Sequence, residues 1–408
     1  MAFVFAAALV SPAWGTVPLT LDQWKDCITN NSGGYDTDCV LQSGDYTISS
    51  TIWVWRSNIT IRGAWPWPML RRAVGFTQDL MLTATPTSWI NIKDIYFHGN
   101  RWNGATSVAS ELNLTGCSYC QVNANALFIG SPNYALNAPP NVPIAVGYVN
   151  FQGNRFAGIF AGSAPECYNP IYWYPNVCLN VAGSYFYNDG VGSIGPAPKN
   201  ARIVANTFTG NHSECGYNSP GGQIDLDDGA DKITVSNNTF ENGPSCANGW
   251  WAVGVELHGT NITLTDNIIR YNAGDGVYMD GASYVTVNST NPASYPISNN
   301  NRRGSGNFCG GGFPGIAINA GSYLGRPNHH ITLNNLWSIS GHTYGVLVRS
   351  CNPGATPNYS LTITNNCVAG NLYGGVHDAM NCGPGQNQSC LGSGSYVNNN
   401  PTSGCGGY

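Results

Sequence analysis

Along most of the chain, apolar and polar residues alternate over short runs, and the runs end on asparagine. Ile233–Phe240 reads ITVSNNTF, Ile262–Ile269 reads ITLTDNII and Leu361–Val368 reads LTITNNCV. Looser copies end in Asn154-Arg155-Phe156 and Asn206-Thr207-Phe208. Period-two alternation is the signature of a strand with one buried face. A second block follows each copy: Gln223–Asp228 (QIDLDD), Gly254–Gly259 (GVELHG), Gly276–Gly281 (GVYMDG), Gly315–Ala320 (GIAINA) and Gly345–Ser350 (GVLVRS). The blocks recur at intervals of about 20 to 40 residues, the range of stacked solenoid repeats. Each repeat is too small to bury its own apolar side chains, so stacking is what makes a core. The recurring asparagines (Asn154, Asn206, Asn238, Asn267, Asn366) are expected to form one structural ladder, because asparagine bonds to neighbouring backbone and tolerates left-handed corners.

One stretch has a different period. Leu21, Trp24 and Ile28 share a helical face, and Thr20 with Gln23 has capping-box spacing. The sequence predicts a short helix there, followed by strands around Tyr46 and Ile59, forming an N-terminal cap over residues 16–56. Coils are expected over 57–380 and a C-terminal cap over 381–408, all in one elongated domain. The predicted fold is all-β, a right-handed parallel β-helix with a short N-terminal capping helix.

Composition narrows the setting. The chain of 408 residues has 51 Gly and 22 Tyr but only 9% charged residues, which suits turns and pleated strands over solvated helices. A net charge of -5 argues against nucleic acid as a partner. No apolar run reaches the roughly 20 residues that span a bilayer. Residues 1–15 read as a signal peptide cut before Thr16, and fourteen cysteines fit an oxidising compartment, so secretion to the cell exterior or periplasm is expected. Cys117 and Cys120 lack a second pair and a nearby histidine, which favours a disulfide over zinc. Several Asn-x-Ser/Thr sequons, such as Asn261-Ile262-Thr263, follow from the Asn-rich turns.

The strand–Asn–strand coils, with Ser43–Ile48 (SGDYTI) and Asn58–Gly63 (NITIRG), resemble the pectate-lyase-like superfamily. The resemblance covers most of the chain. It implies a right-handed parallel β-helix and, in most members, an extracellular enzyme acting on polysaccharide.

The second block carries the candidate chemistry. Ile224, Leu226, Val255, Leu257, Val277, Met279, Ile316, Ile318, Val346 and Val348 take the inward positions, and all ten are apolar. The residues between them therefore point outward in two columns. One is Asp225, Glu256, Tyr278, Ala317 and Leu347; the other is Asp227, His258, Asp280, Asn319 and Arg349. With Asp228, five of the chain's 21 acidic residues fall on three successive strands. Like charges this close destabilise a fold unless protonation, a cation or a ligand relieves them.

Paired carboxyls are also what a glycosidase uses, one held protonated as acid and the other serving as base or nucleophile. Asp227 and Asp280 lie two rungs apart, roughly 9 to 10 Å along the backbone and near the spacing of inverting enzymes. Asp225 and Glu256, one rung apart, approach the retaining spacing. His258 stands between Asp227 and Asp280. The sequence thus predicts a glycoside hydrolase with Asp227, Asp280, Glu256, Asp225 and His258 as catalytic residues. Asp228, Tyr278, Arg349, Asn319, Trp250 and Trp251 would bind a polysaccharide substrate, with the protein acting as a monomer and needing no cofactor.

The alternatives are elimination on a uronate polymer, with calcium held by the carboxylates, and a non-catalytic glycan-binding β-helix. None of the four lysines (Lys25, Lys93, Lys199, Lys232) falls in the outward columns, which weighs against elimination. Asp227-Asp228 is similar to the aspartate pair of the superfamily's polygalacturonase-type hydrolases, but their Gly-His-Gly and Arg-x-Lys motifs are absent. Trp102, Tyr172, Trp173 and Tyr174 are weaker binding candidates, and His98, His329, His330 and His377 are expected to be structural.

Overall fold

Each alternating run forms a strand that pairs in parallel with the equivalent run one coil away, giving three long faces. The computed structural model describes residues 17–103, 109–138, 143–161, 177–211, 221–245, 252–291, 294–300, 314–319, 325–336, 339–349, 357–378, 391–398 and 400–402. The expected signal segment, Trp250, Trp251, Tyr172, Trp173 and Tyr174 lie outside these residues. The first face is a 13-stranded sheet running from Asp38–Leu41 to Tyr396–Asn398. The second has 11 strands, from Asp45–Ile48 to Ile339–Ser340. The third consists of two six-stranded sheets, Ile52–Val54 to Ile194–Pro196 and Gly222–Leu226 to Gly374–Asp378.

At the N-terminus, the helix Leu21–Thr29 starts at the predicted capping box, with Thr20 Oγ1 accepting from Gln23 N. It buries Trp24, Cys27 and Ile28 over the first rung, and the Cys27–Cys39 disulfide ties it to the first strand. Cys117 and Cys120 are bonded to each other, in keeping with the preference for a disulfide over zinc.

Inside the coil, equivalent side chains stack rung on rung. Phe97, Phe128, Phe151, Phe186, Phe208 and Phe240 form one continuous column, with adjacent ring centroids 4.7 to 5.1 Å apart and nearly parallel. That spacing is the strand separation itself.

The asparagines form three ladders rather than one, because a three-faced coil has three corners. Between the first and second faces, Asn206 donates through its backbone N and Nδ2 to Asn238 Oδ1, and Asn238 does the same to Asn267 Oδ1. Asn366 occupies this corner as well, where Leu336 N donates to its side chain. Asn154 instead belongs to the corner leading to the third face, where Asp189, Asn211, Asn272 and Asn300 also lie. The third corner holds Asn328 and Asn358. Phe156, two residues after Asn154, consequently lies outside the core, in a surface depression.

Candidate active site

The predicted register of the second block is the observed one. Asp225 pairs with Glu256, Glu256 with Tyr278, Tyr278 with Ala317 and Ala317 with Leu347. In the other column Asp280 pairs with Asn319 and Asn319 with Arg349. The ten inward aliphatics are all buried.

Burial divides the outward columns in a way the alternation did not reveal. Glu256 and His258 are each 3% exposed, Tyr278 9%, and Asp280 and Ala317 not at all. Asp225 and Asp227 remain partly exposed, and Asp228 is exposed. Of the Asp227–Asp280 pair expected for inverting hydrolysis, Asp227 is partly exposed and Asp280 is buried. Asp280 is enclosed, and its Oδ2 accepts a hydrogen bond from the Tyr278 hydroxyl at 3.2 Å.

Arg349 and Asn319 are also engaged. Arg349 donates from Nε to Asn319 Oδ1 and from Nη2 to Asp275 Oδ2. Asp275 is buried, and burial raises its carboxyl to about 6 against the opposing pull of Arg349. Asp228 pairs with Arg326, whose guanidinium also binds the carbonyls of Gly281 and His258. Arg326 and Asp275 were not recognised as site residues in the sequence, since each comes from a segment outside the repeated strand blocks.

The groups brought together are Asp225, Glu256 and His258, each offering a polar atom within 4.8 Å of the others. His258 Nδ1 lies 2.8 Å from the carbonyl oxygen of Asp280, which can only accept, so Nδ1 carries a proton and donates. His258 Nε2 then faces Glu256 Oε1 at 2.9 Å, and a proton between them is what makes that contact favourable. Burial pushes His258 down, but the hydrogen bond and charge of Glu256 outweigh it and bring the imidazole to about 9. Burial raises Glu256, and the His258 hydrogen bond opposes that rise. We read the pair as holding one shared proton. Asp225 is raised well above the usual carboxylate range, first by burial and then by the neighbouring charges of Glu256 and Asp227.

Two carboxylates and an imidazole are a donor set for a transition ion, not the all-oxygen shell that calcium takes. The calcium considered from the sequence therefore does not fit this cluster.

Asp225 opens into a depression walled by Tyr134, Phe156, Ala157, Val191, Gly192, Ile194 and Gly195. Gly195 is required there, since a Cβ at that position would stand 2.8 Å from the Asp225 carbonyl oxygen. The hollow above Asp225 is therefore built into the backbone. Tyr134 and Phe156 were not singled out in the sequence; their aromatic character was the available signal, but the corner that turns them outward was not.

No protein-family model and no curated protein matches the chain. Solved structures do match it in shape. A surface adhesin of Streptococcus pneumoniae, PfbA, superposes with a TM-score of 0.52 at 12% identity, over 87% of each chain. The periplasmic alginate epimerase AlgG gives 0.51 at 12% identity, over 88% of this chain and 80% of that one. The alginate lyase AlyF-OU02 gives 0.50 at 12% identity, over 85% and 77%. The chain is a right-handed parallel β-helix. At such identities the likeness establishes this β-helix fold, and the chemistry has to be argued from the site.

Proposed function

We propose that this β-helix is an extracellular or periplasmic enzyme that cleaves a uronate-containing polysaccharide by β-elimination, with Asp225 as the proton-transfer group. The observation that carries the reading is the asymmetry of the two carboxyls. Asp225 lines the depression, while Glu256 is buried against His258. Hydrolysis of the two-carboxyl type requires both groups to flank the scissile bond. Elimination needs one group of near-neutral affinity for a proton, because that maximises both its availability as base and its driving force. Burial and the neighbouring charges of Glu256 and Asp227 raise the Asp225 carboxyl, which makes it a stronger base than an ordinary carboxylate.

In the reaction, Asp225 as carboxylate takes the proton from the carbon next to the uronate carboxylate. The electron pair of that C–H bond becomes a carbon–carbon double bond as the glycosidic C–O bond breaks. The departing oxygen leaves with the proton that Asp225 has just taken, so one carboxyl serves first as base and then as acid, while the Glu256–His258 pair stays buried behind it. On the rim, the Arg155 guanidinium lies 5.6 Å from the ring centre of Phe156, placing a cation beside the depression for an anionic sugar. The solved structures of similar shape include an alginate epimerase and an alginate lyase, which supports uronate as the substrate class.

The test is a panel of acidic and neutral polysaccharides followed in two ways, by the ultraviolet absorbance of unsaturated uronate ends and by new reducing ends. The two signals should rise together on an acidic polymer. Reducing ends without the absorbance would establish hydrolysis instead, and neither signal on any polymer would remove the catalytic reading.

A further inference from the structure

The outward column containing Asp225 continues toward the N-terminus along the whole third face. Trp53 pairs with Leu82, Leu82 with Asn113, Asn113 with Asn137, Asn137 with Phe160 and Phe160 with Gly195. The Gly195 backbone then lies against Asp225. Six rungs separate Trp53 from Asp225, about 29 Å at the spacing of paired strands. Leu82, Asn113, Asn137 and Phe160 are all partly exposed, and Trp53 is 43% exposed. Trp53 stacks on Trp55, with ring centroids 5.7 Å apart, forming an aromatic platform at the far end.

Beyond Asp225 in the other direction the next four rungs of the column are covered, before it reaches the partly exposed His377. Glu256, Tyr278, Ala317 and Leu347 are all 9% exposed or less. The third face is thus an open track on one side of Asp225 and a covered one on the other.

We infer that the polysaccharide lies along this track, parallel to the helix axis, with one chain end at Asp225, so that the enzyme acts on chain ends. This rests on the reading of Asp225 as the reacting group. A rung rises by about the length of one pyranose unit, so successive sugars face successive side chains of the column. The Asn137 amide offers both donors and acceptors to hydroxyl groups. Asn113 is held in place by Asp79 and Thr115 and adds its second amide hydrogen. The Trp53–Trp55 platform takes a sugar face several units from the reacting end. Gly195 lets the terminal sugar descend beside Asp225, and the covered rungs beyond leave no path for the chain to continue.

The experiment is a time course on a size-defined acidic polymer fluorescently labelled at its reducing end, alongside the same polymer unlabelled, with products sized by electrophoresis. End action predicts that the smallest products appear from the first time point and that long chains persist beside them. Labelling then reports which end is released. A ladder of intermediate lengths at early times overturns the inference while leaving the elimination reading intact. No turnover on any polymer overturns both. Trp53→Ala should lower kcat/KM about tenfold more on the long polymer than on a trisaccharide, the size of one aromatic stacking contact. An equal effect on both substrates would remove Trp53 from the track.

Discussion

At the residue scale, what separates the outward side chains is access. Asp225 lines the open depression while Glu256 and His258 are buried behind it, and Arg349 is paired with the buried Asp275. Arg349 and its partner Asp275 have side chains 14% and 3% exposed. Removing one member of such a pair leaves the other charge buried and uncompensated. Arg349→Ala should therefore destabilise the fold by about 3 to 5 kcal/mol, measured by urea unfolding near neutral pH. A variant that keeps its stability and loses only substrate affinity would return Arg349 to the binding role suggested by its column.

At the scale of the element, the corner ladders carry the fold, and at one rung a carboxyl takes the place of the asparagine. Asp189 occupies a position that the neighbouring coils fill with Asn154 and Asn211. Its Oδ1 accepts from both the backbone N and Nδ2 of Asn154. Burial raises this carboxyl to about 7, although the Asn154 hydrogen bonds oppose the rise. A carboxyl whose folded pKa exceeds its unfolded value stabilises the fold below the unfolded pKa of 3.8, and that contribution is lost as pH rises to about 7. Asp189→Asn keeps an acceptor for Asn154 and cannot ionise. It should gain on the parent by a few kcal/mol between pH 4 and pH 8, read from thermal melts at both values. A parallel pH dependence in parent and variant would show that Asp189 does not titrate in this range.

The scale of the whole molecule shows how much the sequence could reveal. Ten apolar residues at alternate positions left only one register for the third face, so the columns through Asp225 and Asp280 were legible from the alternation alone. The assignment of Asn154 was not, because a strand, an asparagine and an apolar residue look alike at each of three corners. Nor was the covering of Glu256, His258 and Asp280. Alternation states which way a side chain points from its strand, and says nothing about what is laid over it. Tyr134, Phe156 and Gly195 meet at Asp225 from separate coils, and no local pattern links them.

Catalysis on this face turns on Asp225 being the carboxyl that reacts, with Asp280 enclosed beneath its neighbours. The most direct test is kcat on an acidic polysaccharide for Asp225→Asn, with folding verified by circular dichroism. A general base of this kind contributes about a hundredfold or more. Elimination through Asp225 predicts a loss of at least that size in Asp225→Asn, with unsaturated products vanishing. Turnover of Asp225→Asn within about tenfold of the parent, with the same unsaturated products, would contradict it.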